Sequence, residues 1–273
     1  MRDWRQLIYP PLTASMILSY TIFWASTTRL KVAAPVNGVW LPTASDVIFW
    51  VTITLIVLAL PLRRVLTIAV EGLRRNHYLV LVPPIYFATH LFVYGLLLER
   101  LLVQAFGVSG LPPNGFRAFV SYSYFYSPHT ALSALLTLTV QPSLNITVPA
   151  YYSLALGPFA VTMAVIITLL VTASTYQLTL IAPSLRRVGE SIGIPVLGLA
   201  GGASCCLSIP ILLEYFSPVA QAFAVTQSGS LTISILYYAL PLSVALALKL
   251  AVDGLNRTCV VIRVAHQSGL EEP

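Results

Sequence analysis

Six apolar runs, at roughly 7–28, 44–62, 79–98, 154–182, 192–213 and 231–250, take up about half of this 273-residue chain. Each is close to the ~20 residues that cross a bilayer's hydrocarbon core. Inside hydrocarbon a backbone must satisfy its own hydrogen bonds, so spanning runs of this kind form helices. The pattern predicts an all-α, polytopic integral membrane protein of six transmembrane helices, built as a single membrane domain over 1–273. Only 9% of the residues are charged, against about 25% in soluble domains. The second run is the shortest. Asp46 and Pro61 bracket only about fifteen apolar residues there, and the run can lengthen outward through VNGVWLP at 36–42.

The basic residues orient the spans. Arg2, Arg5, Arg63, Arg64, Arg74, Arg75, Arg186, Arg187, Lys249, Arg257 and Arg263 fall on one side. Arg29, Lys31, Arg100 and Arg117 fall on the other. An excess of Lys and Arg marks the cytoplasmic side, so both termini are expected in the cytoplasm of a multi-pass plasma-membrane protein. The first run ends in STTRLK without a small-residue cleavage pattern and reads as a retained anchor. The net charge of +6 is used up by this asymmetry, and no sequence-specific nucleic-acid motif accompanies it.

The outer segment 99–153 is the longest connection. Its apolar run TALSALLTLTV is too short to span and reads as interfacial or re-entrant. Beside it, Tyr122, Tyr124 and Tyr126 alternate at period two, which would set them on one face of an extended strand. They form either an aromatic belt at the outer interface or a contact surface for a partner subunit. Asn145-Ile-Thr147 is a glycosylation sequon on the outer side; Asn256-Arg-Thr258 has the same pattern on the inner side.

Two of the three cysteines are adjacent, in GLAGGASCCLSIP at 198–210. Neighbouring Cα atoms are about 3.8 Å apart, too close for an ordinary disulfide between Cys205 and Cys206. Gly198, Gly202, Cys206 and Pro210 recur every four residues, a strip of small side chains that lets helices approach closely. As thiolates, Cys205 and Cys206 would instead suit a soft metal ion. With Gly201, Gly202, Ala203, Cys205, Cys206 and Pro210, the stretch resembles the first span of mercuric-ion transporters, which implies soft-metal binding at the cysteine pair. Those proteins are much smaller, however, and no second cysteine pair follows here. Pro210 and Pro241 remove helix bonds to the carbonyls of Cys206 and Tyr237. By the boundaries above, both freed carbonyls lie about 20 Å from the inner face, as in the broken-helix sites of transporters.

Thr168, Thr172, Thr175 and Thr179 follow a helical repeat, so all four share one face. That face either packs on other helices or, with Tyr237 and His90, lines a translocation path. His90 reads as the one strongly ionisable side chain well inside a span, a functional position by default. His77 and His90 are thirteen residues apart on one expected helix. A two-haem arrangement fails, because His129 and His266 fall on opposite sides of the membrane and cannot complete it. No nucleotide-binding loop, HExxH, GxSxG or paired intramembrane carboxylate occurs.

These features predict a non-enzymatic channel or translocation subunit of a larger membrane assembly, of secretion, conjugation or DNA-uptake type, with no cofactor of its own. Its partners would be the lipid bilayer, other membrane subunits or further copies of itself, and a cytoplasmic ATPase. Two alternatives stand beside it. One is a carrier for a small solute or soft metal ion, using Cys206 and broken helices five and six. The other is an accessory subunit of a respiratory complex, with His90 near a neighbour's quinone or haem.

Overall fold

The computed structural model describes residues 5–29, 40–93, 116–121, 142–148, 152–181 and 241–256, with isolated positions between them. The described chain is mostly helical. Helix α1 covers Arg5–Arg29, α2 Trp40–Ala59, α3 Arg63–Arg75, α4 Val82–Ala88 and α5 Pro158–Ile181. A last helix, α6, runs over 241–256. Among the described residues, α2 and α5 are long and apolar enough to cross a membrane. Helix α1 is as long but more polar, with Ser and Thr throughout and Pro10 and Pro11 inside it.

α1 and α2 make the most extensive helix–helix contact. They run antiparallel: Ser15 Oγ meets Thr52 Oγ1 at 3.3 Å, and the rings of Tyr20 and Phe49 meet at 6.2 Å. The buried positions of α1 are Ser19, Phe23 and Thr27, one turn apart, and α2 answers with Pro42, Ser45, Asp46, Phe49, Trp50 and Thr52. α2 starts at Trp40, so the second run does extend outward. A turn through Leu60, Pro61 and Leu62 ends it, with Leu62 N–H bonded to the Val57 carbonyl.

α5 is the central helix. Phe159, Met163, Ile166, Ile167, Leu170 and Ala173 are all buried, so it is enclosed on most sides. Pro158 opens it, where a missing N–H costs no helix bond. Phe159 meets Trp50 of α2 at 5.5 Å and Tyr238 at 5.2 Å, both edge-on, and each such pair contributes about 0.5–1.5 kcal/mol.

Three expectations change. The third run is not one helix. His77–Leu81 is a 3₁₀ turn, α4 follows, and Thr89–Val93 is π-helical. Pro83 and Pro84 lack N–H groups and clash with the preceding turn, so an α-helix starts afresh there, and His77 and His90 do not share a continuous helix. The fourth helix begins at Pro158, because residues 152–156 are a strand. The all-α expectation thus holds for the layers of helices but not for the outer segment, which contains a three-stranded antiparallel sheet in the order β1 (Arg117–Ser121), β2 (Ser143–Val148), β3 (Tyr152–Leu156). SLNITV supplies the alternation and β-branching that favour strands. Its register aligns Val120, Leu144 and Leu156 in one row. In the apolar run before β2, Ala134 and Leu138 are helical and buried, and the Leu138 carbonyl accepts Trp50 Nε1–H at 2.8 Å. The expected fifth span, 192–213, lies outside the described residues.

After α2 comes the amphipathic helix α3, in the basic stretch between the second and third runs. Val65, Ala69 and Gly72 recur at helical spacing, face inward and pack on α5, while Arg63, Arg64, Arg74 and Arg75 are exposed. A Cβ at Gly72 would sit 2.6 Å from Tyr176 Cγ and 2.8 Å from its Cβ. Those atoms are the base of a buried ring and cannot swing aside. Gly72→Ala should therefore lower stability by about 1–3 kcal/mol, the usual cost of overpacking. Thermal unfolding of the purified protein checks this, and Tyr176→Ala in the same chain should recover part of the loss.

Candidate functional site

The helices concentrate their polar side chains in the interior, which makes that layer the candidate site. α2 joins α5 through Thr54 Oγ1, which donates to Thr162 Oγ1 at 3.3 Å, as it joins α1 through Thr52. Such bonds between apolar helices are worth about 0.6 kcal/mol each. They fix register more than they add stability.

The threonine stripe of α5 is placed as follows. Thr168 and Thr172 are buried, Thr175 is half-buried and Thr179 is exposed near the end of the helix. Thr172 donates to the Thr168 carbonyl at 2.8 Å, Thr175 to Val171 at 2.8 Å and Thr179 to Tyr176 at 2.7 Å. Ser174 does the same to Leu170. Hydroxyls turned back on their own helix in this way are hidden from a neighbour; Thr168 is the exception, its Oγ1 buried with no hydrogen-bond partner among the described residues.

His90 is fully buried in the π-helical turn, with its ring tilted against Tyr86 at 5.9 Å. Single π turns recur at functional sites. His90 is not the one buried ionisable group, however. Asp46 of α2 is also fully buried, about 9 Å along the helix from Trp40. The sequence reading took Asp46 as the edge of a run, because the start of the helix sets its depth. Trp50 lies beside it, one turn on, but gives its indole N–H to Leu138. Among the described residues, no three His, Cys, Asp or Glu side chains converge.

Where the sheet meets the helices, an apolar groove of about 500 Å³ opens. Val47, Val51 and Leu55 of α2 form one wall, Val161 and Val165 of α5 the other, and the row Val120, Leu144, Leu156 the roof. Among the described residues, Thr54 and Thr162 are its hydroxyls. Cys205, Cys206, Gly198, Gly202, Pro210, Tyr237, Tyr122, Tyr124 and Tyr126 lie outside the described residues. Pro241 is buried in α6, with helical residues described on both sides of it.

No known protein family, characterised protein or solved structure significantly matches the chain.

The stripe makes a direct prediction. In a chain with Cys205, Cys206 and Cys259 replaced by serine, Thr172→Cys should resist a membrane-impermeant thiol reagent, and Thr179→Cys should react. Mass spectrometry of the labelled protein reads both. Equal labelling at the two positions would mean that a water-filled path reaches Thr172.

Proposed function

We propose that the chain is a multi-pass, non-enzymatic subunit of a larger membrane assembly, of channel or translocation type. Its helices span a plasma membrane, with the arginine face of α3 in the cytoplasm and the sheet outside. The observation that carries this reading is the exposed apolar surface of the sheet. Phe119 of β1, on the face away from the groove, is 51% exposed, and Phe116, just before the strand, is 68% exposed. Lipid covers the flanks of spanning helices, but an open sheet edge is not tolerated in hydrocarbon, so the sheet belongs outside it. Apolar surface there marks a protein contact, and β1, at one side of the sheet, offers it. Charge placement supports the orientation. α3 carries four arginines near the end of α2 and against the Tyr176 end of α5, and the sheet joins the opposite end of α5 through Gly157.

In intact cells lacking the native cysteines, Phe116→Cys should take up an impermeant maleimide and Arg75→Cys should not, until the membrane is permeabilised. The reverse pattern would invert the topology. A photo-crosslinking residue at Phe119 should trap a second membrane subunit, and the chain should migrate on a native gel well above its own 29.7 kDa in a mild detergent. A monomer without crosslinks would overturn the assembly reading.

A further inference from the structure

Asp46 stands apart from every other carboxylate described. Glu71 is paired with Arg75 at 2.8 Å and Asp253 with Lys249 at 2.8 Å, both on helix surfaces. Asp46 is 0% exposed, and neither oxygen makes a hydrogen bond among the described residues. Among the described residues, none forms an ion pair with it. The charged groups of α1 are at its two ends, Arg5 and Arg29, the latter about 9 Å along the helix from Phe23, with only Tyr9 and Tyr20 between them, and α5 has only Tyr176, toward its far end. The antiparallel register of α1 and α2 brings Asp46 across from the turn around Phe23, an apolar stretch flanked by Ser19 and Thr27. Both hydroxyls are turned onto their own helix, Ser19 to the Met16 carbonyl and Thr27 to that of Phe23.

A negative charge enclosed this way requires a positive one with it. We propose that Asp46 is an ion-binding position between α1 and α2, where the carboxyl group takes up one positive charge, as a proton or as a sodium-sized cation. Asp46 lies one turn nearer the start of α2 than Trp50, which meets Phe159 at the start of α5, so the site sits at the sheet side of the proposed span, where an enclosed carboxylate can exchange its ion with that side. The proposal rests on reading α2 as a span. Maleimide topology tests that reading separately, so a correct topology with an unlabelled Asp46 and identical melting profiles would sink the ion site alone.

The test uses the full chain in detergent and dicyclohexylcarbodiimide, an apolar reagent for carboxylic acids in apolar surroundings. The acid proton passes to a carbodiimide nitrogen while the carboxyl oxygen adds to the central carbon. The adduct then rearranges to a stable N-acylurea. Peptide mass mapping should place one adduct on Asp46, lost in Asp46→Asn. Equal labelling in choline and sodium chloride identifies a proton, and suppression by sodium identifies the cation. In parallel, the melting temperature of the wild type should shift with pH or sodium in a way that Asp46→Asn, nearly the same shape, does not follow. Either difference from Asp46→Asn supports the site. An unlabelled Asp46 together with identical melting profiles for the two proteins overturns it.

Discussion

On a helix that is apolar nearly all round, a buried hydroxyl is accommodated most cheaply by bonding to a carbonyl of its own helix, and much of this structure follows from that. α5 carries Thr162, Thr168, Thr172, Ser174, Thr175, Gln177 and Thr179, yet it is the most enclosed helix described. It can be enclosed because Thr172, Ser174 and Thr175 bond back to carbonyls one turn earlier. The outward surface left over is methyl and ring, which suits close packing by α2, α3 and Tyr238. Thr162 reaches out, to Thr54, and that bond helps hold α2 to the centre in one register.

The two ends of α5 are then treated differently. At its start, Gly157 and Pro158 let the chain pass straight from a strand into the helix, so the sheet sits directly over the gap between α2 and α5. The cross-strand row Val120, Leu144, Leu156 closes that gap from above and creates the groove. Toward the other end, the close approach at Gly72 draws α3 flat against Tyr176 and turns its arginines outward. One end is thus apolar and aromatic, the other cationic. This polarity suits a subunit that holds partners on one side of a membrane and meets a charged surface on the other.

Much of this was legible in the residues. The four-residue rhythm of the threonines placed them on one face, and the outward extension of the second run was visible in VNGVWLP. α3 had a signal as well, the spacing of Val65, Ala69 and Gly72, but at thirteen residues it was too short to register among spans. The break in the third run was written in Pro83 and Pro84, though hydropathy averages over a run and does not see where its helix restarts. The sheet was harder to find. SLNITV alternates, but a six-residue alternation inside a long connection carries little weight until Arg117–Ser121 and Tyr152–Leu156 pair with it.

Asp46 marks the division most clearly. The sequence by itself determined that this chain is mostly helical with long apolar runs and which residues share a helical face, because those properties depend on near neighbours and on period. Only the tertiary structure decided that Asp46 is enclosed rather than at a boundary, that the threonine hydroxyls turn inward, and that three distant strands roof a groove. Burial and pairing depend on which segments meet across long separations, and local pattern does not contain that information.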